Sequence, residues 1–107
     1  MSIFYVETYV GKAEKRAAFK PLLDKFIKYK KAHPQLFKGV KSWKLLRQEF
    51  GAIAGMYIEM WEYENWADIE TINKRIFKDK EMQKIQKAFH LLIEPATFTG
   101  NIWHPIA

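Results

Sequence analysis

The stretch GMYIEMWEYENWADIE, residues 55–70, contains two patterns that together predict the architecture of the chain. In its first half two sets of side chains alternate. One set is apolar and consists of Met56, Ile58 and Met60, and the other consists of Tyr57, Glu59 and Trp61. Such alternation is typical of a β-strand with two different faces. Asn65 is a residue type that caps helices, and Asp68 then falls in the first helical turn. The stretch therefore predicts a strand over residues 53–63 that leads directly into a helix.

The remainder of the chain supplies three more strands and another helix. Residues 2–10, 40–50 and 96–104 are predicted as strands, since they are rich in alternating, β-branched or aromatic residues. Apolar pairs at helical spacing predict a helix that starts after Gly11 and ends before Pro34, and a second cap at Asp79 continues the later helical region. The order β-α-β-β-α-β predicts an α+β, ferredoxin-like fold, with a four-stranded antiparallel sheet and the helices on one face.

The two central strands carry the main candidate functional residues. The first strand repeats the aromatic-x-Glu-x-aromatic pattern in Tyr5, Glu7 and Tyr9. We expect the purely apolar sets to meet the helices and the aromatic–glutamate sets to lie on the uncovered face of the sheet. If Glu7 pairs with Glu59, their side-chain bases lie roughly 5 Å apart. Two carboxylates so close do not both ionise readily, so one would have a raised pKa and act as an acid/base or, with oxygen partners, as a cation ligand.

An alternative leaves the two glutamates without a joint role. In that case they pair with Lys44 or Arg47 of the second strand, or they face water at the sheet edge.

The end of the last strand supplies two further candidates, Trp103 and His104. Among the three histidines, His104 is the one that we expect to face an enclosed interior. His33 lies in a loop before a proline, and His90 ends an apolar helical stripe, where a packing role is expected. No two histidines have the spacing of a zinc site, so no metal is predicted.

Composition excludes several classes of site. The 107 residues predict a single domain, residues 1–107, and the absence of cysteine excludes disulfides, thiolate metal sites and cysteine catalysis. The sequence contains no nucleophile elbow, phosphate-binding glycine loop or dinucleotide fingerprint, so no cofactor is predicted. No apolar run approaches the roughly 18 residues of a membrane span, and the N-terminus MSIFYVETYV does not resemble a signal peptide. A cytoplasmic location without a membrane partner is therefore expected.

The net charge of +6 is concentrated in the first predicted helix, where eight basic residues and two acidic ones lie between Lys12 and Lys31. Such a segment could bind the phosphates of a nucleic acid, with tyrosines of an open sheet stacking on the bases. However, the lysines surround an apolar stripe and occupy the positions that a solvated helix face would fill. We therefore favour a solvated face and do not expect nucleic acid to be the main partner.

The order of elements, together with WEYENWADIE at residues 61–70 and KRIFKDKEMQKI at residues 74–85, resembles the dimeric α/β-barrel superfamily. The similarity is greatest to its NIPSNAP-like and antibiotic-biosynthesis-monooxygenase-like branches. In that superfamily two ferredoxin-like sheets pack face to face and enclose a small molecule, so the resemblance implies a homodimer formed through the uncovered sheet face. The haem-degrading members use an asparagine, a tryptophan and a histidine where this chain has Thr8, Arg75 and Gln86. Haem breakdown is therefore disfavoured, although His90 leaves a weaker haem-ligation interpretation open.

The leading hypothesis is a homodimer that binds a small apolar or aromatic molecule inside the barrel. If it is an enzyme, the resemblance favours a cofactor-independent monooxygenase or isomerase. The predicted catalytic residues are Glu7, Glu59 and His104, and the predicted substrate-binding residues are Tyr5, Tyr9, Tyr57, Trp61 and Trp103. The alternative is a non-catalytic structural or stress-related dimer in which the aromatic face is only an interface.

Overall fold

The structure, a computed structural model, describes residues 2–107 and contains one four-stranded antiparallel sheet. The strands are β1 (Ile3–Val10), β2 (Ser42–Arg47), β3 (Met56–Tyr63) and β4 (Thr99–Trp103), in the spatial order β2-β3-β1-β4. The helices are α1 (Arg16–Ala32), α2 (Trp66–Lys78) and α3 (Lys80–His90), and short 3₁₀ turns precede α1 and β4 at Ala13–Lys15 and Pro95–Thr97. The predicted α+β, ferredoxin-like class is confirmed, with the second helical region divided into α2 and α3.

One capping residue fixes the start of each of the two helices α2 and α3. The Asn65 side chain accepts a hydrogen bond from the backbone N–H of Asp68 at 3.1 Å, and Asp79 accepts one from Met82 at 3.0 Å. Both caps were predicted, since Asn and Asp carboxamide or carboxylate oxygens satisfy the free N–H groups of a first helical turn. Asp79 has an extended backbone, with φ −73° and ψ 124°, so it ends α2 as well as starting α3.

The strands are shorter than the sequence patterns predicted. β2 covers residues 42–47 rather than 40–50, and β3 begins at residue 56 rather than 53. Residues 48–55 form a turn in which the backbone N–H of Ile53 donates to the Gln48 side chain at 3.0 Å. This local hydrogen bond replaces the strand pairing that alternation alone suggested.

The helices cover the opposite face of the sheet from the one predicted. The ring of Tyr57 stacks on Phe19 of α1 with 4.4 Å between ring centres, and Tyr9 meets Phe89 of α3 edge to face at 4.9 Å. Tyr9 is only 1% exposed. The aromatic–glutamate sets therefore face the helices. The uncovered side, here called the open face, carries the apolar sets instead, namely Phe4, Val6, Val10, Met56, Ile58 and Met60.

Burial of aromatic area explains this choice of face. Large rings remove more apolar surface from water than the methionine and valine side chains do. Their polar N–H and O–H groups also find carboxylate partners under the helices, as described below. The core continues from this face into the helices through buried residues that include Phe26, Ile72, Ile76, Met82 and Ile85. Within residues 2–107, no helix is both long and apolar enough to cross a membrane.

One glycine is required for the close approach of the α1–β2 connection to α2. Gly39 has φ +100°, and a Cβ atom placed there would lie 2.5 Å from Cδ1 of Ile72. Both the backbone conformation and the contact therefore favour glycine at this position.

Candidate functional site

A cavity of about 290 Å³ lies between the helix-covered face of the sheet and helices α1, α2 and α3. Its wall is predominantly apolar and aromatic, and the aromatic residues that the sheet contributes are Tyr5, Tyr9, Trp43, Trp61 and Tyr63. An engineered cavity of about 150 Å³ binds benzene, and small-molecule sites begin near 300 Å³. The cavity therefore has room for a molecule of one or two rings.

The two glutamates meet on the sheet side of this cavity. Glu7 is directly opposite Glu59 in the antiparallel β1–β3 pairing, which is the register assumed above for the two glutamates. One carboxylate oxygen of Glu59 accepts hydrogen bonds from the indole N–H groups of Trp43 at 2.8 Å and Trp61 at 3.1 Å. Its other oxygen accepts a hydrogen bond from the Tyr9 hydroxyl at 2.9 Å. Three donors thus hold Glu59 in one position, and two of them come from β2 and β3.

The alternative pairing of the glutamates with basic residues of β2 is not formed. Arg47 lies 3.5 Å from Glu49 instead, and Lys44 is exposed on the open face beside Met60.

The surroundings of Glu7 and Glu59 affect the pKa values of the two carboxyl groups differently. Burial, followed by the nearby charge of Glu59, raises the pKa of Glu7 to about 8, with the Trp61 N–H acting weakly in the opposite direction. Burial also raises the pKa of Glu59, but the hydrogen bonds from Trp43, Tyr9 and Trp61 lower it. Donors of this kind favour the ionised form of the acceptor. The three donors therefore favour the negative charge on Glu59, whereas Glu7, with a pKa raised to about 8, retains its proton at neutral pH.

The Tyr9 hydroxyl remains a hydrogen-bond donor in this arrangement. Burial and the adjacent Glu59 carboxylate raise the pKa of Tyr9 far above its ordinary value. Phenol and carboxylate thus stabilise each other, since the neutral hydroxyl donates to the charged oxygen.

The structure brings together five of the eight predicted site residues. Tyr5, Tyr9 and Trp61 line the cavity with Glu7 and Glu59. The cavity lies under the helices, which corrects the prediction that these residues lie on the uncovered face of the sheet.

The other three predicted residues lie elsewhere. Tyr57 has its ring stacked on Phe19 and lines a separate, much smaller pocket near Gly11. Trp103 is 59% exposed on β4, opposite Phe4 of the open face, and His104 is exposed just beyond the strand. The prediction that Trp103 and His104 share a site with the glutamates is therefore corrected, because the pairing of β4 directs Trp103 to the other side of the sheet.

Helices α2 and α3 contribute polar lining residues that the sequence interpretation did not assign to the site. Asn73 accepts a hydrogen bond from the Tyr63 hydroxyl at 3.2 Å, and the Gln86 amide nitrogen lies 3.4 Å from Nε2 of His90. The sequence contained one indication of this role, namely the helical spacing of these residues from buried residues of the same helix. Gln86 and His90 follow Met82 at intervals of four residues, which places all three on one side of α3.

Comparison with known proteins supports the fold. No family model matches the chain, and no curated protein matches it by sequence. Among solved structures, a NIPSNAP family protein from Agrobacterium tumefaciens superposes with a TM-score of 0.77 and 16% identity, covering 98% of this chain and 93% of its own. A second NIPSNAP family protein from that bacterium, described as of unknown function, gives 0.75 and 18%, covering 97% and 87%.

An enzyme with the same fold is also similar to this chain. A variant of SnoaB, a cofactor-independent oxygenase from Streptomyces nogalater, superposes with a TM-score of 0.67 and 11% identity, covering 99% of this chain and 94% of its own. At these identities the comparison concerns the fold and leaves the activity open. The chain therefore has the ferredoxin-like fold of the NIPSNAP family proteins and of SnoaB, as the resemblance in its sequence predicted.

Proposed function

We propose that the protein binds a small aromatic molecule in the cavity and exchanges a proton with it through Glu7. The observation that carries this proposal is the unequal carboxylate pair within an aromatic wall. Glu59 is held by three hydrogen-bond donors, while Glu7 also lines the cavity and has a pKa raised to about 8. A group whose pKa is near the working pH is suited to general acid–base catalysis, because both of its forms are then accessible.

The proposed reaction class is a cofactor-independent monooxygenation or an isomerisation. Ionised Glu7 removes a proton from an acidic C–H group of the substrate, and the aromatic wall positions the resulting carbanion. In an isomerisation, protonated Glu7 returns the proton to another carbon. In a monooxygenation, dioxygen is the co-reactant, and a CH₂ group plus O₂ becomes a C=O group plus water. The similarity in fold to SnoaB, a cofactor-independent oxygenase, supports this class.

The proton-transfer step can be tested without knowledge of the natural substrate. 2-Tetralone is a neutral two-ring ketone with an acidic CH₂ group, and NMR in D₂O follows the exchange of those hydrogens. We expect the protein to accelerate this exchange, and the Glu7→Gln variant to lose about 100-fold or more of the acceleration. The rate should rise as the pH approaches 8 and then level off, because the ionised form of Glu7 is the base.

Glu62→Gln is a matched control for this experiment. Glu62 lies on the open-face side of β3, where it accepts a hydrogen bond from Ser42 at 2.7 Å and does not line the cavity. Its replacement should leave the exchange rate unchanged. Equal rates for wild type and Glu7→Gln would refute the assigned role of Glu7.

We further propose that two chains associate through the open face. The apolar side chains of its two central strands are half-buried in one chain, and the neighbouring Leu46 and Trp103 are 53% and 59% exposed. A continuous apolar surface of this kind is typical of an interaction site, and a second copy of the same sheet would cover it. The expected homodimer thus uses the set that includes Ile58, instead of the tyrosines that the sequence analysis placed there.

Two alternatives have less support. In the purely structural dimer the aromatic face is only an interface, whereas here that face and the helices surround a cavity of about 290 Å³. Nucleic-acid binding by base stacking required exposed tyrosines, but Tyr9 is buried and Tyr5 and Tyr57 are half-buried on the helix-covered face. The nucleic-acid alternative then rests on the basic residues of α1 without base stacking.

A further inference from the structure

The cavity has a charge opposite to that of the protein. The chain carries 18 lysine and arginine residues and a net charge of +6, yet none of the described residues that line the cavity is lysine or arginine. Two glutamates line it, and His90, exposed on α3, is the one described lining residue that could become positively charged. A ligand with a carboxylate or phosphate would therefore meet Glu59 without a compensating cation, which is strongly unfavourable in a site partly removed from water.

We propose that the cavity binds an organic ammonium ion, with its positive head beside Glu7 and its apolar part among the aromatic rings. This inference rests on the proposed function and specifies the substrate class for the same site. The rings suit such a ligand because the faces of tryptophan, tyrosine and phenylalanine attract cations that have lost water. Trp43 and Trp61 have ring centres 6.2 Å apart at an interplanar angle of 61°, so they form two sides of the wall.

The position of the ammonium group follows from which cavity side chains already have partners in the protein. Glu59 has three hydrogen-bond donors. The ring of Trp43 already has the Lys30 ammonium 5.9 Å from its centre. Glu7 and the ring of Trp61 are therefore the partners that remain available to an incoming cation. Hard metal ions prefer oxygen ligands, whereas the wall around Glu7 is aromatic, so the cavity suits an organic cation.

Binding of a cation would displace the proton that Glu7 holds. In the free protein that proton prevents two negative charges from lying side by side. A bound ligand with a permanent positive charge would offset the second negative charge instead. The ionisable groups that face Glu7 within the cavity are Glu59, Tyr5, Tyr9, Tyr63 and His90. The tyrosines stay neutral near pH 7, since burial raises the pKa of each of them. An ammonium substrate would thus generate the carboxylate base that the proposed reaction requires.

The test compares two ligands of equal shape and different charge. Phenyltrimethylammonium has a permanent positive charge, and tert-butylbenzene is its neutral isostere. Calorimetric titration at pH 6, 7 and 8 should show the cation binding at least tenfold more tightly than the isostere at pH 8. Its affinity should rise by about tenfold per pH unit between 6 and 7, because about one proton leaves Glu7 on binding. Titrations in buffers with different ionisation enthalpies measure that proton directly.

Variants separate the charge effect from general packing. Glu7→Gln should abolish the pH dependence and bring the affinity for the cation down towards that for the isostere, whereas Glu62→Gln should behave as wild type. Equal binding of the two ligands, or a cation affinity independent of pH, would overturn the inference. If Glu7-dependent exchange of 2-tetralone persists in that case, the proposed function stands without the cationic substrate. If neither ligand binds and no exchange occurs, both proposals fail.

Discussion

Replacing Glu7 by glutamine should make the protein more stable at alkaline pH. In the folded protein the pKa of Glu7 is about 8, compared with 4.5 for an ordinary glutamate. Between these values the folded state retains a proton that the unfolded state releases, so stability contributed by this group is complete below pH 4.5 and is lost as the pH rises to 8. The loss approaches about 1.4 kcal/mol per pH unit, and about 5 kcal/mol in total as an upper bound.

Glutamine has nearly the same shape as the protonated side chain but no charge to lose. The free energies of unfolding of wild type and Glu7→Gln should therefore be similar near pH 5. At pH 9 the free energy of unfolding of the variant should be larger by several kcal/mol. Urea denaturation at pH 5, 6, 7, 8 and 9, followed by circular dichroism, measures this difference. The slope of each transition shows whether the variant changes the surface exposed on unfolding.

Glu62→Gln again supplies the control. Hydrogen bonds from Ser2 and Ser42 hold the pKa of Glu62 below its ordinary value, so any stability from this group is fully present above pH 4.5 and is lost only as the pH falls below it. The difference between wild type and this variant should be constant from pH 5 to 9. If the difference for Glu7→Gln is equally constant, Glu7 has no raised pKa, and the argument for an unequal carboxylate pair is wrong.

Three further predictions concern the fold and the open face. Gly39→Ala should lower the free energy of unfolding by about 1–3 kcal/mol in urea titrations, because of the positive φ and the contact with Ile72. Asn65→Ala should lower it by about 1 kcal/mol through loss of the α2 cap, which the same titration measures. Ile58→Lys, which places a charge at the centre of the open face, should convert a wild-type dimer to a monomer in sedimentation equilibrium; a wild-type monomer would refute the proposed association.

The order of elements and the helix caps were predictable because each depends on local sequence. Asn65 and Asp79 are recognisable caps. The register that places Glu7 opposite Glu59 was only assumed, because alternation does not determine how two paired strands are shifted along each other. The short β2 and the turn at residues 48–55 were not predicted. There the Gln48 side chain accepts a hydrogen bond from the backbone N–H of Ile53, which competes with strand pairing, and alternation carries no information about that competition.

The choice of covered face could not be derived from alternation. Two glutamates in the aromatic sets suggested exposure, since a buried carboxylate without partners is strongly unfavourable. The missing information was non-local. Trp43 reaches Glu59 only because β2 pairs with β3 in a register that places Trp43 opposite Trp61. With that indole and the Tyr9 hydroxyl in place, the Glu59 carboxylate is compatible with a site beneath the helices.

The alternation of side chains along β3 places the candidate site and the proposed association surface on opposite faces of the sheet. Along β3, Glu59 points towards the helices, while Ile58 and Met60 on either side point towards the open face. The cavity lies on the helix-covered side of the sheet, opposite to the side chains of the open face. The proposed association through the open face and the proposed proton transfer in the cavity therefore use opposite faces of the same strands. A variant that separates two chains at Ile58 should therefore leave the carboxylate pair, its three donors and the proposed proton transfer by Glu7 unchanged.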